Sequence, residues 1–421
     1  MAAASVAGCE SVGQVVGATS YRVPAPALTG KVIHSVRGPI SPLQLGITSM
    51  HEHVILGDDS DPDEGDPLQI YDQETLQKMM HFAQPEDVPE SFFPQGPDHP
   101  ITLENRAYLE HYYHKAEGAF ALDEPLMTAE IGDFKKQGGQ SILDVSITNE
   151  RGDPRTIRHM SEVTGVNIMM STGINSHVLI PKKYKVMSEP ELIAFFEKEL
   201  NVGIRDTGIL AANIKLLAEG PDTDLPPSRD ETLIRALKAA ANVSRNTGAP
   251  VTVHCYALGD EEFDGLLKTA SAAGMPKDRM TIAHFPTELR PMQYEALLND
   301  PDKLKPNLDI GYRAMDDGFI LSFDLFGAGE AWKDTGDGQV PNDDLIALAA
   351  IYQYAKRGYA DRIVLGTDVW TRLGTRRFGG RGIAQLLNYV VPTLKKYGVS
   401  QADIDQIMIQ NPARILAYRT A

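Results

Sequence analysis

The stretch Ile47-Thr48-Ser49-Met50-His51-Glu52-His53 sets two histidines two residues apart at the end of a strand-like run. Side chains alternate faces along a strand, so His51 and His53 project the same way and both can reach one metal ion. Such a pair in isolation is more often a satisfied core or surface pair than a pair of ligands. The rest of the chain must decide.

Other residues of the right chemistry close comparable runs. His254 ends Pro250-Val251-Thr252-Val253-His254, His284 ends Met280–His284, and Asp368 ends Ile363–Asp368. Neutral imidazoles and carboxylates suit divalent zinc, manganese, cobalt or iron, and an aspartate beside a metal can take a proton from bound water. Lys215, in Ala212–Leu216, is the odd member. An ammonium has no lone pair and repels a cation, so an interior ion-paired lysine is its plain reading.

The elements that must position these groups alternate strictly. Helical periodicity over 125–138, 154–164, 189–204, 229–247, 260–273, 288–298, 342–357 and 382–397 alternates with short apolar runs at Ser141–Val145, Asn167–Ser171, Ala212–Leu216, Val251–His254, Met280–His284, Ile320–Asp324 and Ile363–Asp368. With the His51 strand these make eight strand-helix units, which predicts a (β/α)8 TIM barrel. In such a barrel the chemistry sits at the C-terminal ends of the strands, where His51, His53, His254, His284 and Asp368 fall. A doubly wound open sheet is the alternative, but no Gly-rich dinucleotide fingerprint follows an early strand. Residues 30–46, with turns at Gly38-Pro39 and Pro42, read as an N-terminal hairpin or cap.

Residues 1–29 read as a disordered tail, and 30–421 as a single domain with a long insertion, 57–124, after the first strand. The insertion is expected to overhang the site. It opens with Asp58, Asp59, Asp61, Asp63, Glu64 and Asp66. Counted from Asp59, Glu64 stands where a calcium loop needs glycine and Ile70 where it needs the closing glutamate, so a solvated charged loop is the better reading. His81, His99, His111 and His114 also lie there, without the strand-end placement of the others.

At 421 residues and 42% apolar content the chain can bury a large core. A formal charge of -17 argues against nucleic acid or an anionic membrane as partner and for a small-molecule substrate. Two cysteines, Cys9 and Cys255, make no disulfide framework, so a reducing, cytoplasmic setting is expected. A homodimer is left open.

Taken together, His51-x-His53, Lys215 in Ile-Lys-Leu-Leu-Ala-Glu-Gly, His254, His284 in Ile-Ala-His and Asp368 in Leu-Gly-Thr-Asp resemble the metal site of the amidohydrolase superfamily, in its phosphotriesterase-like branch. Val36–Ile40, Gly203–Gly208 and Asn411-Pro412-Ala413 support the resemblance, which covers about residues 30–419. It implies a binuclear centre, with His51, His53 and Asp368 on the more buried ion and His254 and His284 on the more exposed one. Lys215 would be N6-carboxylysine, whose two oxygens bridge the ions, and a bridging hydroxide would attack the substrate. Asp368 would accept the proton as catalytic residue.

Around the metals the likeness to phosphotriesterases proper fails. Their proton-shuttling Asp and His have no counterpart in His284-Phe285-Pro286-Thr287 or Phe323-Asp324-Leu325-Phe326. The Asp-Leu-Phe text is closer to phosphotriesterase-like lactonases and phosphotriesterase-related proteins, although the latter bridge with Glu rather than Lys. The expected reaction is hydrolysis of a carboxylic ester or lactone, with amide, carbamate or organophosphate hydrolysis as alternative and a non-catalytic ligand-binding barrel as the alternative of another class. Asn175 and His177 could hydrogen-bond a substrate, and Trp370, Arg372 and Arg376 could contact it, the arginines by clamping an anion.

Overall fold

The computed structural model describes residues 28–56, 100–106, 109, 118, 120–148, 151–174, 180–218, 228–256, 258–289, 306–327 and 344–420. Nearly all of the expected tail, most of the insertion, His81, His99, His111, His114, Asn175 and His177 lie outside the described residues.

Eight parallel strands form the central sheet: β3 Thr48–Glu52, β4 Ser141–Asp144, β5 Asn167–Ile174, β6 Asn213–Ala218, β7 Val251–Cys255, β8 Met280–Ala283, β9 Ile320–Phe323 and β10 Ile363–Leu365, laddered in chain order. Helices intervene at α1 Glu124–Lys136, α2 Pro154–Thr164, α3 Glu189–Asn201, α4 Glu231–Thr247, α5 Asp260–Ala272, α6 Leu308–Asp316 and α7 Asp344–Lys356, and α8 Val391–Lys396 follows β10. This is the expected TIM barrel. Helix starts are written locally: Asp123, Asp153 and Asp230 accept from the first free backbone N–H groups of α1, α2 and α4.

Alternation along the strands builds two apolar layers. Ile142, Ile168, Met170, Leu321, Ile363 and Leu365 pack with helix residues, whereas their neighbours Leu143, Met169, Ile320 and Val364 join Met50, Ile33 and Leu45 in a second cluster. That second cluster rests on the N-terminal hairpin, β1 Lys31–Ser35 and β2 Gly38–Ile40. The hairpin gains a third strand that periodicity did not show, β11 Arg419–Thr420, which pairs antiparallel with β1. The expected helix at 288–298 lies largely beyond the described residues, and α6 at 308–316 is the helix described before β9.

Strands β8 and β10 end sooner than their apolar text. His284 and Asp368 stand past β8 and β10 with φ of 58° and 54°, in the left-handed region that L-residues avoid. A residue held there leaves the strand direction sharply, which is how both side chains turn toward the barrel axis. Backbones approach closely at two further points. A Cβ at Gly173 would run into the Lys215 carbonyl, and one at Gly366 would lie 2.7 Å from the His51 Cβ. Among the described residues no helix is long and apolar enough to cross a membrane.

Candidate metal centre

The structure brings His51, His53, Lys215, His254, His284 and Asp368 together at the C-terminal end of the barrel. His51 and Lys215 point inward from β3 and β6, with Lys215 Nζ 3.2 Å from His51 Nε2. Asp368 Oδ1 lies 3.4 Å from His51 Nε2 and 3.3 Å from His53 Nε2. That oxygen is buried and has no hydrogen-bond partner, an orphan that a folded protein avoids unless something else satisfies it. A cation does so naturally. Four ligands about 2.05 Å from a zinc ion stand about 3.3 Å apart, which is the spacing of Asp368 Oδ1 from each of the two histidine nitrogens. The residues present therefore fit a metal ion.

His254 and His284 form the other half. Their Nδ1 and Nε2 face each other at 2.7 Å, closer than that spacing and short enough for a hydrogen bond. Burial, first of all, holds the pKa of both rings below the ordinary histidine value, so both are neutral and offer lone pairs. His284 Nδ1 faces Asp324 at 2.8 Å. With that nitrogen as donor, Nε2 is an acceptor and His254 Nδ1 carries the shared proton.

Asp324 is the residue that sequence reasoning missed. It lies one position past β9, fully buried, with Oδ1 on His284 Nδ1 and Oδ2 3.1 Å from His51 Nδ1. Burial would raise its pKa, but His284 and His51 outweigh that and hold it well below the carboxylate range. One anion thus hydrogen-bonds the rear nitrogen of His284 and lies within ion-pair distance of that of His51, leaving both Nε2 atoms forward. The signal was present in Phe323-Asp324-Leu325-Phe326 as an acid at a strand end, but nothing local says that two distant histidines face it. Ser146 does the same for His53, with Oγ 2.8 Å from Nδ1, and its own backbone N–H donates to Asp144.

The electrostatics of the forward face are consistent. Against burial, His51 and His284 depress the Asp368 pKa, so this carboxyl is an anion. For His51, burial and Lys215 pull the pKa down, but Asp324 and Asp368 prevail and the net shift is upward.

A model of the phosphotriesterase family matches residues 31–416. The chain belongs to that family. It is accordingly a hydrolase. An N-acetyltaurine hydrolase of Dictyostelium discoideum is 25% identical over 392 residues, covering 91% of this chain and 97% of that one. Two solved structures share the fold. A resiniferatoxin-binding protein from Rhodobacter sphaeroides gives a TM-score of 0.72 at 23% identity, covering 92% of this chain and 95% of that one. A lactonase from Listeria monocytogenes gives 0.63 at 16% identity, covering 92% and 99%.

Of the other sequence-predicted residues, Trp370, Arg372 and Arg376 are described, in the loop after β10. Trp370 stacks on Phe120, ring centres 5.2 Å apart. Arg372 donates to the Ala121 carbonyl and pairs with Asp123 at 3.3 Å, and Arg376 pairs with Asp133 at 2.9 Å. Arg106, from the insertion, donates to the carbonyls of Phe378 and Leu373. The loop after β10 is thereby tied to α1 and to the described part of the insertion. Beside Asp368 this loop encloses a cavity of about 50 Å³ lined by Phe326, Trp370, Arg381 and Gln385. A larger recess of about 370 Å³ lies at the opposite end, between Arg37, Lys135 and Asn167, far from the histidines.

Proposed function

We propose that this chain holds two divalent ions, zinc first among manganese, cobalt and iron, and uses them to hydrolyse a carboxylic ester or lactone. The observation that carries the reading is Asp368 Oδ1, buried, unbonded and spaced from His51 and His53 Nε2 as ligands of one ion would be. His51, His53 and Asp368 would hold that ion, and His254 and His284 the other. Lys215, 2% exposed at the centre, would bridge them as N6-carboxylysine. Its ammonium gives up one proton to become an amine, which adds to CO₂ and releases a second, so that an anion with two oxygens replaces a cation.

Bound ions would supply a water of lowered pKa and polarise the acyl oxygen. The chain's own residues do the rest. Asp368, anionic before reaction, receives the proton from the attacking water and passes it to the leaving oxygen. Asp324 and Ser146 keep the imidazoles aimed. Trp370 and Phe326 wall the space beside Asp368. Asn175 and His177 remain candidate hydrogen-bonders to substrate on sequence grounds.

Amide hydrolysis at the same site is the second reading, favoured by the name of the Dictyostelium relative. Purified protein assayed against lactones, esters and N-acyl amides, with metal content measured in parallel, separates these. Turnover should follow metal and vanish with a chelator, esters or lactones being preferred. A preference for N-acyl amides would select the second reading. No bound metal and no turnover would leave a ligand-binding barrel.

Arg372 and Arg376 would meet a substrate anion only by releasing Asp123 and Asp133. If they do, Arg372→Ala and Arg376→Ala should raise KM for an anionic substrate about tenfold with little change for a neutral one, the loss of one exposed charge-assisted contact. Equal effects on both substrates would show that the arginines only brace the loop.

A further inference from the structure

Glu52 stands between the two histidines that open the site and points away from them. It is fully buried, and its carboxylate takes four donors: Ser49 Oγ at 2.5 Å, Thr367 N at 2.8 Å, Thr367 Oγ1 at 2.6 Å and Val369 N at 3.3 Å. The last three belong to the residues on either side of Asp368. Asp368 N itself donates to the His51 carbonyl at 3.0 Å. Three successive N–H groups after β10 are thus held from β3, two by one side chain.

This is also where the barrel closes. The ladder runs from β3 through β10 in order, and among the described residues no β10–β3 ladder completes the circle. At this seam Gly366 lies against the His51 backbone, closer than any side chain would allow. The left-handed φ of Asp368 needs outside support, since an L-residue does not rest there by preference.

We infer that Glu52 is a positioning residue: it replaces the missing ladder at the β10–β3 seam and sets Asp368 against His51 and His53. The metal triad joins the two strands on either side of that seam, so its spacing is the seam's spacing. The inference rests on the two-ion reading above.

Glu52→Gln tests it. Both carboxylate oxygens face backbone N–H groups, so the amide nitrogen of Gln must oppose a donor on one side or the other. The full chain is stripped, reloaded with zinc or cobalt, and analysed for bound metal and for the cobalt absorption spectrum. Wild type should hold two ions. Glu52→Gln should keep the His254/His284 ion and bind the other about 10- to 100-fold more weakly, as when a ligand's supporting partner is lost, with a changed cobalt spectrum. Thr367→Val, which removes one hydroxyl donor and keeps shape, should move the same ion in the same direction by less. It also serves if Glu52→Gln does not fold. Two ions at wild-type affinity and an unchanged cobalt spectrum in Thr367→Val and in folded Glu52→Gln would overturn the inference, and so would equal weakening of both ions. A wild-type chain that holds no metal would instead overturn the two-ion reading.

Discussion

Lys215→Ala should lose most bound metal and slow hydrolysis by at least about a thousandfold, since on the proposed two-ion reading the change removes the group that would bridge the ions and thereby the activated water. The residue sits at 2% exposure with its amine 3.2 Å from His51 Nε2. An ammonium there would oppose every cation the histidines attract, whereas a carbamate would hold two. Truncation leaves space for a small acid. Acetate or propionate should therefore restore part of the activity, and Lys215→Met, which fills the space, should not respond. Metal content and rate titrated against added acid decide the matter. Full activity of Lys215→Ala without rescue would refute the carbamate bridge.

Glu199→Ala should destabilise the fold by about 3–5 kcal/mol, the cost of leaving a buried charge without its partner. Arg151 and Glu199 form a two-pronged pair, Nη2 to Oε1 at 2.5 Å and Nη1 to Oε2 at 3.0 Å, with side chains 2% and 6% exposed. Arg151 Nη1 also donates to the Ser171 carbonyl of β5, so the pair ties α3 to the sheet and to the segment following β4. That segment carries Ser146, the support of His53. The double replacement Arg151→Met with Glu199→Leu removes both charges and should recover most of the loss. Urea unfolding measures this as a lowered midpoint at unchanged slope. A single-variant loss below about 1 kcal/mol, the range of exposed pairs, would show that solvent reaches Arg151.

What could be read from the chain followed from its local periodicities. Period 2 in Ile47–His53 placed both histidines on one face, and their Nε2 atoms do meet the same Asp368 oxygen. The regular exchange of short apolar runs with helical stretches predicted eight parallel strands, because each run is too short for a buried helix and each intervening stretch long enough for a crossover. Strand-end position then selected the five residues of the cluster that close such runs, and Lys215, singled out within its strand, took a ligand's role only through the family resemblance.

Only the tertiary structure decided who stands behind them. Asp324 bridges His51 and His284, Glu52 bridges to Thr367 and Val369, and β11 pairs with β1. Each joins segments far apart in sequence, whose meeting depends on how the sheet curls shut. Arg372 and Arg376 illustrate the converse. Their chemistry suits a substrate anion, but packing gave them Asp123 and Asp133 first. The sequence by itself determined the candidate metal ligands and the strands that carry them, since alternation along a strand is local. Their aim and spacing came from closing the barrel, where a buried acid bonds whatever donor the opposite strand presents.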